Sequence, residues 1–366
     1  MWDFLIVGAG LFGSIFARRA AAIGKRCLII DRRPHIAGNC YTEDVGGIKV
    51  HRYGPHIFHT ANERVWNFVR RFVPFNNFQL HTKVSYRERL FSFPINLMTL
   101  HQLWGVRTPE EALRKLEQVR VPSPDPGENL ETWILSQVGH ELYETFIKGY
   151  TTKQWGREPR ELPSFIIRRL PIRLTYDDRY FDDPYEGIPI GGYTRMFENL
   201  LDDPNIRVEL NTDFFANRAE LERGARRVVY TGMIDEYFDY CFGELEYRSL
   251  RFEMRELSGD LQGTPIVNYT EREIPHTRIV EHKHFEFQRS DRTVVTWEYP
   301  DAYARGKVPY YPIQDRRNKE LYERYKELAA AGNVIFGGRL GTYQYYDMHQ
   351  VVAQALTMAD THLGKE

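Results

Sequence analysis

The 366 residues contain few cysteines, no long apolar run and no excess of charge, and each shortage closes a class of function. Cys27, Cys40 and Cys241 follow no metal spacing and no even disulfide framework, which fits a reducing compartment. No stretch approaches the roughly 18 apolar residues of a membrane span. The apolar start runs straight into a glycine turn with no positive segment before it, so the expectation is no signal peptide and a cytoplasmic location. With 49 basic against 50 acidic residues the net charge is -1, which provides no broad field for nucleic acid or an anionic membrane. Clustered arginines therefore need a local explanation, and a small anionic ligand supplies one.

The first such ligand is legible near the start. "DFLIVGAGLFG" sets an apolar run before Gly8, Gly10 and Gly13, and "SIFARRAAAIG" follows with helical character. A strand, a glycine turn and a helix place a pyrophosphate on a helix N-terminus, where free N–H groups and the helix dipole favour anions. A second apolar strand, "RCLIID", ends at Asp31, near the ~20-residue offset of the acid that binds a ribose hydroxyl. NAD and FAD share this fingerprint. The continuation "RRPHIAGNCY" resembles the segment after the second strand in FAD-dependent amine-oxidase-like proteins, with Arg33, Gly38 and Asn39 in the matching places. Ala37 stands where those proteins usually have glycine, which is tolerable if its φ is negative.

Beyond the dinucleotide pattern the texture changes twice. "QLHTKVSYRERLFSFPIN" reads as two short strands joined at a turn, and residues 97–160 are mostly helical, broken by the polar, proline-rich "VPSPDPGEN". From about residue 241, "YRSLRFEMREL", "GTPIVNYT", "HTRIVEHKHFEF" and "RTVVTWEYP" are rich in β-branched and aromatic residues and suggest one antiparallel sheet. "NVIFGGRLG" and "DMHQVVAQALTMAD" return to a strand and a helix, which predicts a dinucleotide domain assembled from separated segments.

"RRLPIRLTYDDRYFDD", residues 168–183, admits two readings: a solvated loop whose arginines pair with its own aspartates, or a diphosphate site built from guanidiniums and the phenols of Tyr176 and Tyr180. Arg278 in "HTRIVEHKHF" is a candidate inward cation of a sheet face. Tyr310 and Tyr311, and the group Arg339, Tyr343, Tyr345, Tyr346 and Asp347, add further clustered phenols and charge. His56 and His59 lack a third ligand at recognisable spacing, so no metal is expected and a place beside the cofactor is. The sequence offers no GxSxG elbow, no HExxH and no reactive Cys-His pair, which leaves the flavin as the reactive group.

The chain resembles the bacterial UDP-galactopyranose mutases from Trp2 to about Ala355, through "GAGLFG", "YGPHIFHT", "FSFPIN", "KQWGREP", "RLPIRLTYDDRYF", "GGYTRMFE", "YTGMIDEYFDY", "YRSLRFE", "EHKHF" and "GRLGTYQYYDM". Ala37 and Gln344 depart from that pattern. The resemblance implies an α/β fold: a Rossmann-like FAD-binding domain from discontinuous segments (1–75, 190–240 and 330–366), a helical domain (97–160) with a mobile lid near 151–159, and an antiparallel sheet domain (76–96, 161–189 and 241–329). It implies interconversion of UDP-galactopyranose and UDP-galactofuranose with no net redox change; the alternative is an FAD-dependent amine-oxidase-like oxidoreductase, which would take electrons from its substrate and need an acceptor. FAD would act in its reduced form, its N5 attacking the anomeric carbon to give a flavin iminium.

Residue by residue, the resemblance sets Arg169 and Arg278 against the substrate diphosphate, with Tyr180, Tyr311 and Tyr345 as hydroxyl partners and Asp347 nearby; Tyr176 joins the substrate-binding candidates from the reading of residues 168–183 itself. Phe146, Tyr150 and Thr151 match a uridine site, Trp155 lies on the lid, and Arg248 and Asn268 fall close to the sugar. Arg339 and His59 belong by the flavin and join Arg169 and Arg278 as catalytic candidates. The remaining cofactor residues are Gly8, Gly10, Phe12, Gly13, Asp31 and Arg32, then Arg33, Gly38, Asn39 and His56, and finally Tyr346, Asp347 and Met348. An electron donor outside the chain is implied, no nucleic acid or membrane partner is expected, and a homo-oligomer is left open.

Overall fold

The computed structural model describes residues 1–168 and 170–364, and they divide into two compact units. The first takes residues 1–78, 183–247 and 311 onward, and the second takes 79–182 and 248–310.

The first unit is organised by a five-stranded parallel sheet in the order Val334–Phe336, Ala225–Tyr230, Trp2–Val7, Cys27–Ile30, Ile206–Glu209. Both faces of its central strand are covered, which is why the sequence there is continuously apolar rather than alternating. Phe4 and Ile6 pack with Phe12, Ile15 and Phe16 of the helix Leu11–Ala22 and with Val352 and Leu356 of the helix Met348–Leu363. Leu5 joins Leu28, Ile30, Val228 and Tyr230 in a separate core. The helix Gly192–Leu201 adds Tyr193, Met196 and Phe197 to the first of these cores. A short antiparallel pair, Phe58–Thr60 with Tyr185–Gly187, brings His59 opposite Glu186.

In the second unit six neighbouring strands of one sheet run in the order Tyr247–Ser258, Arg292–Ala302, Arg278–Glu281, Ile266–Tyr269, Thr82–Tyr86, Arg89–Phe93. All neighbours are antiparallel except one pair: Val267–Tyr269 lie parallel to Lys83–Ser85. The exception arises where two distant parts of the chain meet, since a parallel pairing needs a long crossover rather than a hairpin. The hairpin Thr82–Phe93 turns on Arg87 and Glu88, both at positive φ, as a two-residue turn matching the strand twist requires. "HKHF" does not continue its strand, because His282–His284 form a 3-10 turn.

The helices Leu97–Trp104, Pro109–Val119, Leu130–Leu142 and Gly149–Trp155 belong to this second unit, not to a unit of their own. Thr108 and Glu111 form a reciprocal capping box with Pro109 in the first turn, so local chemistry alone starts that helix. Among the described residues no helix is long and apolar enough to cross a membrane.

Candidate functional site

In the first unit the glycine turn is shaped by side chains that are missing. A Cβ on Gly8, at φ +109°, would meet Thr231 Oγ1 at 2.0 Å, and one on Gly13 would meet the Gly8 carbonyl oxygen at 2.1 Å. Gly10 faces Gly38 so closely that a Cβ on Gly38 would stand 3.0 Å from the Gly10 Cα. Asp31 secures this cradle with both oxygens: Oδ2 accepts from Ala9 N and Oδ1 from Arg33 N, each at 2.9 Å. Arg33 in turn donates to Asn39 Oδ1 at 2.9 Å and lies over the Tyr53 ring. These residues fit a dinucleotide, with bare backbone for the diphosphate and a fixed carboxylate for a ribose. Arg32 is exposed, and the Phe12 ring is buried against Gly337, so the side chain of Phe12 serves the core.

Ala37 departs from its expected conformation. Its φ is +73° and it is fully buried, so the left-handed backbone that glycine would adopt freely is held here against a Cβ.

Histidines and tyrosines gather elsewhere in this unit. His59 Nδ1 donates to Asp183 Oδ2 at 2.5 Å, which fixes the tautomer of His59. The His349 ring meets His59 edge-on at 4.9 Å, and burial, then the His59 charge, draw its pKa down while Asp347 and Asp183 oppose. His56 Nδ1 donates to Gly54 O at 2.8 Å. Arg339 lies over the rings of Tyr311 and Tyr345 and donates to the Tyr346 carbonyl, while the two tyrosine rings stand 5.4 Å apart. Asp347 caps the helix Met348–Leu363 through a box with Gln350, and Met348 packs against the core. Sequence reading missed Asp183 and His349: one was hidden in a charge-mixed run, the other in a helix start.

In the second unit strand register builds a row. Asn268 pairs with Arg278 on one neighbour and Arg278 with Glu298 on the other. Arg278 reaches the Glu298 carboxylate through Nε and Nη2, both at 2.9 Å, and Glu298 is fully buried. Arg248 donates to the Gln154 carbonyl at 3.0 Å and so caps the helix Gly149–Trp155, whose chain leaves through Gly156 at φ +65°. That helix carries Tyr150, Thr151 and Trp155, the last two buried. Phe146 is core, wedged against Phe91 and Phe93.

The charge-mixed run resolves in part. Arg173 pairs with Asp182 at 2.5 Å, Arg179 clasps Asp177, and Asp178 is taken by His81 and Lys83. Tyr176 is exposed and donates to Arg107 O, and Tyr180 is anchored by its backbone to Leu80 O. Internal pairing thus accounts for Arg173 and Arg179, and Arg169 lies outside the described residues.

One group with metal-ligating atoms within 4.8 Å of one another occurs among the described residues, Asp260, Glu281 and His284. Lys283 already pairs with Asp260 at 3.1 Å, as does His284, so its negative charge is balanced. Burial pushes Glu281 up, but hydrogen bonds from His284, Leu261 N, Gln262 N and Thr293 prevail and hold it at about 2.

The family model for UDP-galactopyranose mutase matches residues 145–345, and that for an NAD(P)-binding Rossmann-like domain matches 6–72. A probable UDP-galactopyranose mutase of Klebsiella pneumoniae is 42% identical over 367 residues, covering 99% of this chain and 95% of its own. The chain belongs to the UDP-galactopyranose mutase family. Family membership and the Rossmann-like segment together imply a flavin cofactor, and the family's reaction is an isomerisation. A dTDP-fucopyranose mutase of Escherichia coli is also similar, 38% identical over 370 residues and covering 98% of both chains. A solved structure of reduced UDP-galactopyranose mutase superposes with TM-score 0.79 at 14% identity, covering 100% of this chain and 94% of that one. A putative protoporphyrinogen oxidase from Exiguobacterium superposes at 0.66 and 13%, covering 98% of each chain. At such identities the likeness is one of fold, shared by the mutase family and an oxidoreductase.

Proposed function

We propose that the chain interconverts UDP-galactopyranose and UDP-galactofuranose with FAD held in its reduced form. The observation that carries this reading is Arg278, a guanidinium oriented by a buried carboxylate beside Asn268, in a chain that also has a dinucleotide cradle. Reduced flavin supplies the nucleophilic nitrogen for which the sequence has no side chain of a familiar kind.

The chain's own residues then have defined tasks. Arg278, with Arg169, balances the diphosphate as it leaves and returns, and its planar fork fixes the orientation of the phosphate oxygens. Tyr180, Tyr311 and Tyr345 donate hydroxyl hydrogens to the same group, with Tyr176 and Asp347 close by. Tyr150 stacks on uracil beside Phe146 and Thr151, and Trp155 lies on a segment that excludes water. Arg248 and Asn268 stand near the sugar. Arg339 and His59 would hold the flavin, and the Arg339 charge would favour an anionic reduced ring. An external electron donor would be needed to reduce the flavin, while the isomerisation itself consumes no electrons, and a cytoplasmic site of action suits that supply.

A second reading, dTDP-fucopyranose as substrate, draws on the 38% identical relative. One experiment separates the readings: anaerobic incubation of the flavin-loaded protein with each sugar nucleotide, with and without dithionite, followed by chromatography. Isomerisation of the UDP-sugar only after reduction is expected. Preference for the dTDP-sugar would select the second reading, and equal activity of oxidised and reduced protein would overturn the role given to the flavin.

A further inference from the structure

Lys153, two positions after Thr151, has no task in the scheme above, yet its surroundings are closely built. Its ammonium donates to three backbone carbonyls of one loop: Tyr269 O at 2.8 Å, Ile274 O at 2.9 Å and His276 O at 2.9 Å. Three protons thus meet three acceptors, an arrangement suited to a compact ammonium and not to a flat guanidinium.

The same loop is fastened to the same helical segment at other points. Thr270 Oγ1 donates to Thr145 O at 2.6 Å, and Arg272 pairs with Glu158. Gly149 lies so close to the loop that a Cβ there would meet the Thr270 carbonyl oxygen at 2.1 Å. What the loop connects gives this fastening its meaning. It leaves the strand Ile266–Tyr269, which carries Asn268, and enters the strand Arg278–Glu281, which starts at Arg278.

We propose that Lys153 is a positioning residue that couples Tyr150 and Thr151, on its own helix, to Asn268 and Arg278 at the two ends of the loop. The inference rests on the UDP-sugar reading above. Nucleobase binding on the helix and diphosphate binding on the sheet then stand in one hydrogen-bonded frame, and the ammonium is its joint. Without it three carbonyls lose their donor, the loop relaxes, and Arg278 loses its alignment with the nucleotide.

The groups facing Lys153 make the joint sensitive to pH. Burial draws Lys153 down to about 8, while Glu271 and Glu273 act the other way, and His276 is itself lowered by burial and then by the Lys153 charge. Tyr269, whose ring meets that of His276, is raised by burial and stays protonated throughout that range.

The test measures UDP binding to the flavin-loaded protein by calorimetry in wild type, Lys153→Met, Arg278→Ala and the double variant. Lys153→Met is expected to weaken UDP about tenfold at pH 7 in the wild-type background and less than twofold in the Arg278→Ala background, since a coupled pair is not additive. Wild-type affinity should fall as pH rises through about 8, and Lys153→Met should show no such step. Amides of residues 270–277 should exchange faster in Lys153→Met, and Lys153→Arg should not restore the wild-type behaviour.

Losses that add independently, or unchanged affinity in Lys153→Met, would overturn the coupling while leaving the function intact. A wild type that binds no UDP would instead bring down the reading of function, and this inference with it. Should Lys153→Met fail to fold, Lys153→Arg takes its place in the same cycle with Arg278→Ala, and losses that add independently there overturn the proposal.

Discussion

The two units present their proposed anion-binding groups by opposite means. In the first, the cradle consists of backbone laid bare by Gly8, Gly10, Gly13 and Gly38, so the atoms that would hold a diphosphate are also the atoms that close the strand, turn and helix. In the second, the sheet would form with other side chains, and Asn268, Arg278 and Glu298 are placed upon it by register. Binding and folding are therefore inseparable in the first unit and separable in the second.

Gly13→Ala offers the harshest test of that contrast. Its Cβ would sit 2.1 Å from the Gly8 carbonyl oxygen, which is backbone and cannot swing aside. A loss of roughly 3 kcal/mol or more is expected, with colourless protein on purification, and thermal unfolding with flavin absorbance checks both together. Full flavin content at a normal melting temperature would break the comparison.

Arg278→Ala should cost about 3 kcal/mol of stability, because the buried Glu298 is left unpaired, and tenfold or more in kcat/KM. Adding Glu298→Gln should restore most of the stability and none of the activity. Recovery of both would show that Arg278 serves only the fold.

Acid should affect the second unit through Glu281. Its folded pKa, about 2, lies below the unfolded value near 4.5, so its contribution is present above 4.5 and is lost as pH falls towards 2. The size is on the order of 3 kcal/mol at most, and unfolding followed by denaturant at pH 2 to 6 should show a flatter slope in Glu281→Gln.

The smallest effect is a gain. At Ala37 the left-handed backbone costs about 1–2 kcal/mol, while glycine would add about 0.4–1 kcal/mol of unfolded-chain entropy. Relief of strain exceeds the entropy cost, so Ala37→Gly should stabilise by about 0.5–1 kcal/mol, visible as a melting temperature raised by a few degrees at most. A lower melting temperature would show that the Cβ packing there outweighs the strain.

Legibility in the sequence followed the range of the cause. The glycine turn and the strand pair in "QLHTKVSYRERLFSFPIN" are local, and local patterns exposed them, while the capping box of Thr108 and Glu111 is equally local and went unremarked. The division of the chain's end between strand and helix was equally readable. Partners chosen across the fold were not: nothing near His59 points to Asp183, 124 residues away, and nothing in the charge-mixed run says that Asp178 turns to His81 and Lys83. Backbone acceptors are still harder to foresee, since a carbonyl has no letter, and Lys153 went unremarked for that reason. Ala37, at positive φ, donates its N–H to the Ala9 carbonyl at 2.9 Å, a partner in the glycine turn that composition does not carry.

The segmented first unit also imposes a timetable. Its sheet begins with residues 2–7 and is not complete until 334–336, and the helix Leu11–Ala22 packs against a helix that starts at Met348. On the ribosome, the second unit has all its strands once residue 302 has emerged, whereas the strand Trp2–Val7 waits until residue 336 for its sheet's last strand and beyond Met348 for the helix that packs on it. The nascent chain thus carries an incomplete parallel sheet from residue 7 until residue 336. Such long-range closure is slow and open to aggregation, so the segmented unit is where help from chaperones would count most.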